Sequence, residues 1–278
     1  MILQIIIIVL VIVAVLLLIF RRRKTAKQLQ KLAEETELQK QQIIVEQQRN
    51  QQLKQEMTNN IAHELKTPVS SILGYLEILL GDKPVSPEQQ RYFLERCNSQ
   101  ALRLSDLIRD VSLINKLEES ADLFPIDEVS VTDVVDEVLR DLGDNVKSKQ
   151  ITISNTLVPP MTIRGNRSLI YAIFRNLVEN AVSYAGEGIQ IGIECYREEG
   201  NHYFVHFYDT GTGVENAYLP KIFDRFLRID KGRSRKNGGT GLGLSIVKHA
   251  VLFHGGNIYV KNRTKGGLEY FFSLKKEL

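Results

Sequence analysis

Residues 61–71 read IAHELKTPVSS: a histidine beside a glutamate, a threonine one helical turn later, and a proline directly after that threonine. An imidazole with one nitrogen held protonated by a carboxylate presents its other nitrogen as a nucleophile, and Glu64 is close enough in sequence to His63 to serve. Pro68 has no N–H to give the Glu64 carbonyl, so a bend is expected there. Taken alone, a His-Glu pair on a helix describes an ordinary solvated face. Its meaning depends on what the rest of the chain supplies.

Three further clusters point at a nucleotide. In NLVENAVSY, Asn176 and Asn180 stand four apart on one helix face. Their neutral amide oxygens suit a Mg²⁺ that keeps several waters and bridges phosphates, and two helix-surface asparagines are the plain alternative. In DTGTGV, Asp209 closes a strand-like run and is followed by Gly211 and Gly213. Such glycines let the backbone turn tightly beside a flat ligand while the carboxylate accepts from an exocyclic amine; a hairpin turn is the alternative. In NGGTGLGLSIVKHA, Gly238, Gly239, Gly241 and Gly243 lead into an apolar helix, offering backbone N–H groups and a helix N-terminus to phosphates. Four glycines in six positions exceed what a turn needs. The basic stretch FDRFLRIDKGRSRK lies between the last two clusters and reads as a lid whose Arg225, Arg228 or Lys231 touches a triphosphate.

These residues need elements to hold them. Ile61, Leu65, Val69, Ile72, Leu76 and Leu79 recur in steps of three or four and predict one helical stripe, ended by GDKP at 81–84 and by Ser86-Pro87. A second stripe runs through Phe93, Cys97, Leu104, Ile108, Val111, Ile114 and Leu117. A hairpin cannot bury two such stripes alone, so pairing with a second copy into a dimeric four-helix bundle is expected. His63 falls about 200° round the helix from Ile61, on the solvent face, with Thr67 one turn above it. After a linker, strands are expected at 150–155, 161–165, 189–199, 202–209, 257–262 and 268–275, with helices at 168–184 and 242–253. That pattern is an α/β sandwich of roughly 150 residues, enough for its own core.

The first twenty residues carry one polar side chain, Gln4, and no charge. At about 1.5 Å per residue they reach about 30 Å, which predicts a transmembrane helix over 1–20. Arg21-Arg22-Arg23-Lys24 follows and predicts that the chain beyond it is cytoplasmic, the protein being a single-pass protein of the inner (plasma) membrane. With the apolar run starting at residue 1, no extracytoplasmic domain is expected. Residues 25–60 hold ten glutamines and neither Gly nor Pro, and their sparse apolar positions fit a helical coiled-coil linker or a solvated single helix. The net charge of +3 owes much to the arginine cluster, whose reading is topological, and no direct nucleic-acid contact is expected. Cys97 and Cys195 lack metal-type spacing and are expected to stay reduced.

From about Met57 to the C-terminus the chain resembles the two-component sensor histidine kinases of the HisKA class. His63-Glu64-Leu65-Lys66-Thr67-Pro68 is similar to that family's H-box, NLVENAVSY to its N-box, DTGTGV to its G1 box, IFDRF to its F-box and GGTGLGL to its G2 box. The resemblance implies a phosphoacceptor role for His63, assistance by Glu64, and in Thr67 a residue that orients water when the bundle dephosphorylates a response regulator receiver domain. It also implies ATP and Mg²⁺ as cofactors. Asn180 is the implied Mg²⁺ ligand, supported by Asn176; Tyr184 is implied to stack on adenine and Asp209 to bind its amino group. Gly239, Thr240, Gly241, Leu242, Gly243 and Leu244 belong to the phosphate loop, of which 241–244 line the phosphates. The family's catalytic domain shares its fold with DNA gyrase B and MutL, which use a glutamate near the position of Asn176 to activate water. Asn176 cannot act as a general base, which favours phosphotransfer over hydrolysis.

Two positions depart from the pattern. Ser183 stands where a basic residue often points to the phosphates, with Arg228, Lys231 or Arg235 as substitutes, and Asn166 stands where an acidic residue is common. The expected organisation is a membrane helix at 1–20, a helical linker at 21–54, a dimerisation and histidine phosphotransfer hairpin at 55–118, and an ATP-binding domain at 124–278. The competing class is a membrane-anchored dimer that binds nucleotide as a switch or acts only as a phosphatase. A gyrase-like ATPase is disfavoured by Asn176 and by the His63 helix.

Overall fold

The structure is a computed structural model that describes the backbone of residues 2–119, 123–229 and 239–277, without the side chains of 2–20, 23–35, 50, 53 and 118. It divides into two compact units, Met1–Asn59 and Asn60–Leu278. The first is helical from residue 2, as part of α1 (Ile2–Leu80). Leu38, Ile43, Ile44 and Val45 are all more than half exposed on it. Among the described residues no helix is long and apolar enough to cross a membrane. The side chains of 2–20, on which the membrane expectation rests, lie outside the described residues.

In the second unit, α1 continues through Pro68 to Leu80, and α2 (Pro87–Glu119) returns beside it. The break falls where GDKP and Ser86-Pro87 placed it. Ser86 and Gln89 make a reciprocal cap: the Gln89 N–H donates to Ser86 Oγ at 3.3 Å and the Ser86 N–H to Gln89 Oε1 at 3.2 Å. This satisfies two donors at the helix start, and Pro87 at the first helical position has no donor to lose. Tyr75 and Phe93 stack across the hairpin with ring centroids 5.6 Å apart. Of the predicted stripes, Val69, Leu76 and Ile108 are exposed and Ile114 is fully buried, while Leu73 and Leu102, outside the stripes, are more than half exposed.

The remainder is an α/β sandwich. Its elements are β1 (Asp127–Ser130), α3 (Val131–Asp141), α4 (Gly143–Ser148), β2 (Thr152–Asn155), β3 (Thr162–Gly165), α5 (Arg167–Tyr184), β4 (Gln190–Glu199), β5 (His202–Asp209), α6 (Gly243–Phe253), β6 (Ile258–Asn262) and β7 (Leu268–Lys275). Among the described residues β1 and β3 form a small antiparallel ribbon, and the other strands form one sheet in the order β2-β4-β5-β7-β6. β2 pairs parallel to β4, and the other pairings are antiparallel. Strand alternation puts Ile191, Ile193, Val205, Phe207, Tyr270, Phe272 and Leu274 on one face, where they meet the apolar stripes of α3, α5 and α6 in a continuous core. The other face carries His206, stacked on Phe271 at 4.4 Å and bonded to Glu194 and Glu269.

Six expected strands and two expected helices are present within a residue or two of the sequence reading, while β1, α3 and α4 were not foreseen. The signal for α3 was there. Ser130 accepts the Asp133 N–H as N-cap, and Val131, Val134, Val135 and Val138 form a buried i, i+3, i+4, i+7 stripe.

Candidate functional site: a nucleotide cavity beside the histidine helix

A cavity of about 1360 Å³ opens between α5, the end of β5, the loop entering α6, and the hairpin helix α2. Asn176, Asn180, Tyr184, Asp209, Gly213, Arg228, Gly239, Thr240, Gly241, Gly243 and Leu244 all line it, so the three glycine- and asparagine-bearing clusters converge. Leu242 is wholly buried behind the loop, its N–H donating to Thr240 Oγ1 at 3.2 Å. The Gly211 N–H donates to Asp209 Oδ1 at 2.8 Å. Arg225 turns toward α6, with its Nη2 3.2 Å from His249 Nε2. Lys231, Arg235 and Gly238 lie outside the described residues.

Each polar group at the cavity has a physical reason for its placement. Asp209 is only 4% exposed, its second oxygen accepting the Leu268 N–H at 3.3 Å. Burial raises its carboxyl above the ordinary range, and the two backbone donors oppose that rise. On α5, Asn176 donates Nδ2 to the Ala172 carbonyl at 2.7 Å and Asn180 donates Nδ2 to the Tyr270 hydroxyl at 3.2 Å. The Asn176 nitrogen is thus committed to a carbonyl, which leaves its neutral oxygen as an acceptor, and Asn180 brings a second neutral amide to the same wall. Hard, uncharged oxygen donors of this kind fit a Mg²⁺ that takes its negative charge from phosphates. The Asn176 oxygen lies against Gly243, where a Cβ would stand 2.5 Å from it, so glycine leaves the space that the amide occupies. Gly241 has φ +74°, and its carbonyl accepts the N–H of Phe226, itself at φ +60°. A left-handed phenylalanine is costly, and here the glycine-rich loop holds it in place. Tyr184 lines the cavity with its hydroxyl against Gly239.

Asn166 caps α5, its Oδ1 accepting the Leu169 N–H at 3.1 Å, while its Nδ2 donates to the Pro125 carbonyl at 2.9 Å. An acidic residue can cap but cannot make the second bond, which accounts for asparagine here. Its backbone N–H donates to Nε2 of the fully buried His254 at 3.0 Å, fixing that ring with its proton on Nδ1, bonded to the Ala250 carbonyl.

On the hairpin, His63 and Thr67 are exposed on the same face, and the Thr67 hydroxyl donates to the His63 carbonyl at 3.3 Å. Glu64 does not meet the sequence expectation of a carboxylate turned to His63. Its oxygens accept from Arg103 Nη2 at 3.2 Å and from Arg228 Nη1 at 3.1 Å. Adjacent helical residues point about 100° apart, and that angle delivers Glu64 to α2 and to the catalytic domain. A second polar bond joins the same parts, with Thr240 Oγ1 donating to Asp110 Oδ2 at 2.9 Å. Asp110 lines the cavity, and burial pushes its carboxyl up while Thr240 and Arg109 pull it down. Arg103 and Asp110 were missed by sequence reasoning, because both look like solvated positions of an amphipathic helix.

Comparison with known proteins agrees with this geometry. Residues 165–278 match the family model described as histidine kinase-, DNA gyrase B-, and HSP90-like ATPase, and residues 53–120 match the His Kinase A (phospho-acceptor) domain. The sensor-like histidine kinase SenX3 of Mycolicibacterium smegmatis is 31% identical over 221 residues, covering 80% of this chain and 57% of that protein. The phosphate regulon sensor protein PhoR of Pseudomonas aeruginosa is 36% identical over 210 residues, covering 73% of this chain and 46% of that protein. The chain therefore spans about half the length of the curated relatives it matches. Among solved structures, histidine kinase ThkA in complex with response regulator protein TrrA aligns with TM-score 0.63 at 23% identity, over 80% of this chain and 61% of that one. Acinetobacter baumannii AdeS aligns with TM-score 0.61 at 20% identity, over 77% of this chain and 98% of that one. At those identities the likeness is one of fold.

Proposed function

Because the chain belongs to the two-component sensor histidine kinases, with a phosphoacceptor hairpin followed by their ATP-binding domain, we propose that it is an ATP-dependent protein-histidine kinase acting on its own His63. One observation carries the reading: Arg228, at the rim of the nucleotide cavity, is bonded to Glu64, the residue beside His63. The nucleotide site and the nucleophile's helix are thus already in contact. Asp209 recognises the adenine amino group, the loop at 239–244 and the N-terminus of α6 take the phosphates, and Tyr184 packs on the base. Asn180, with Asn176 beside it, holds Mg²⁺, which when bound neutralises charge on the transferring phosphoryl oxygens. The imidazole of His63 attacks the γ-phosphorus in line, the bond to the β,γ-bridging oxygen breaks, and ADP leaves. Glu64 must first exchange its guanidinium partners for the imidazole N–H.

The phosphoryl group then passes from His63 to an aspartate of a response regulator receiver domain, which the exposure of His63 permits. Thr67, one turn away on the same face, orients water for dephosphorylation of that regulator. The exposed apolar side chains of the hairpin, among them Leu73, Leu76, Leu102 and Ile108, pair with a second copy in a homodimer. Residues 1–20 form the membrane anchor, 21–54 the linker, 55–118 the phosphotransfer hairpin and 124–278 the ATP-binding domain, with the kinase parts cytoplasmic.

Incubation with γ-labelled ATP tests the central claim. Wild type acquires an acid-labile label and His63→Gln acquires none; a label that persists in His63→Gln overturns the assignment. Thr67→Ala is expected to label normally and to lose regulator dephosphorylation.

A further inference from the structure

We propose that Arg103, on α2, is a positioning residue that holds the Glu64 carboxylate against the second hairpin helix and off the neighbouring imidazole, and so sets how readily His63 accepts a phosphoryl group. The inference rests on the reading of His63 as the phosphoacceptor given above. Arg103 Nη2 stands 3.2 Å from Glu64 Oε2, and the two side chains are only 15% and 19% exposed, so solvent screens their charges only in part. A guanidinium only donates and an ionised carboxylate only accepts, which fixes the direction of this bond. Arg228 Nη1 lies 3.1 Å from both carboxylate oxygens. Both oxygens of Glu64 are therefore engaged by guanidinium donors.

Competition decides where such a carboxylate points. The N–H of a neutral imidazole offers it less than a guanidinium, whose charge is permanent and whose donors are fixed in a planar fork. His63 leaves the helix about 100° from Glu64 and is exposed. A carboxylate turned to that ring would hold one nitrogen protonated and leave the other as the nucleophile, and here the carboxylate is turned elsewhere. The two guanidiniums differ in what they are attached to. Arg228 lines the nucleotide cavity and meets a second anion when a triphosphate enters. Arg103 shares the hairpin with Glu64, so its hold does not depend on what occupies the cavity. An ion pair that merely tied α1 to α2 would leave His63 as reactive without Arg103 as with it.

Phosphoramidate tests this on the full chain without ATP: an imidazole nitrogen of His63 forms a bond to phosphorus, the phosphorus–nitrogen bond of the reagent breaks, and ammonia leaves with the electron pair. Arg228→Met is introduced first, so that among the described residues Arg103 is the guanidinium left on Glu64. The initial rate of acid-labile labelling, with a His63→Gln chain as blank, is then read for Arg103, Arg103→Met and Arg103→Lys, each with Glu64 and with Glu64→Gln. Arg103→Met keeps the apolar stem and is expected to raise the rate about threefold, whereas Arg103→Lys still carries a cation and is expected to stay within about 1.5-fold of its parent. With Glu64→Gln there is no carboxylate to release, and Arg103→Met is expected to change nothing. An unchanged or lower rate in Arg103→Met overturns the proposal. So does an equal rise with Glu64→Gln, which is what a loosened hairpin would give. The kinase reading fails separately, if wild type takes no label from γ-labelled ATP.

Discussion

At the scale of single residues, the buried groups around the cavity set its chemistry and its response to pH. His254 is fully buried, and burial holds its imidazole below the ordinary histidine value. In the unfolded chain it titrates near the ordinary histidine value of 6.5, so the unfolded state takes up a proton first. The destabilisation linked to its protonation is therefore absent well above pH 6.5, grows as the pH falls through that value, and levels off below the folded-state value. Urea midpoints measured from pH 7.5 to pH 5 are expected to fall more steeply for wild type than for His254→Gln. His254→Leu removes the acceptor of the Asn166 N–H and is expected to cost about 1–3 kcal/mol at neutral pH, measured by the same denaturation. Neither His254 nor Tyr270 stood out in the sequence, since each is one polar group inside a run whose periodicity already explains it as core.

At the scale of elements, local rules account for most of what is seen. Ser86-Pro87 with Gln89 starts α2, alternation in LEYFFSLK makes β7, and the apolar run after Gly243 makes α6. These features were legible because each is a property of neighbours in sequence. The cavity's three clusters were legible for the same reason, each being a short segment with its own composition. What escaped was any group whose partner is distant: Arg103 for Glu64, Asp110 for Thr240, Tyr270 for Asn180. Two substitutions test how tightly the elements fit. Asn166→Asp keeps the α5 cap and loses the donor to Pro125, so it is expected to destabilise the chain by about 1 kcal/mol, read from urea midpoints. Gly243→Ala places a methyl group 2.5 Å from the Asn176 oxygen, displaces that amide from its place at the cavity, and is expected to weaken ATP binding about tenfold by calorimetry.

At the scale of the whole catalytic unit, a carboxylate from the hairpin stands in the wall of a cavity that is to receive a triphosphate. Asp110→Asn removes that charge and keeps an acceptor for Thr240, so it is expected to tighten ATP binding about tenfold, an effect equivalent to about 1.4 kcal/mol. Unchanged affinity in a titration of that variant would show the carboxylate to be neutral or screened. Among the described residues, the Arg228 and Thr240 bonds to the hairpin differ in origin: Glu64 is on α1 and Asp110 is on α2. Their partners, Arg228 and Thr240, flank the segment 230–238 on either side. A hydrogen bond tolerates only a few tenths of an ångström of stretch, and one residue of helix is a rise of about 1.5 Å. An axial slip of one hairpin helix past the other by a single residue must therefore be taken up by the side chains of Arg228 and Glu64, or one of the bonds is lost. The α/β domain thus reaches both hairpin helices, α1 through Glu64 and α2 through Asp110, from the two sides of a single loop.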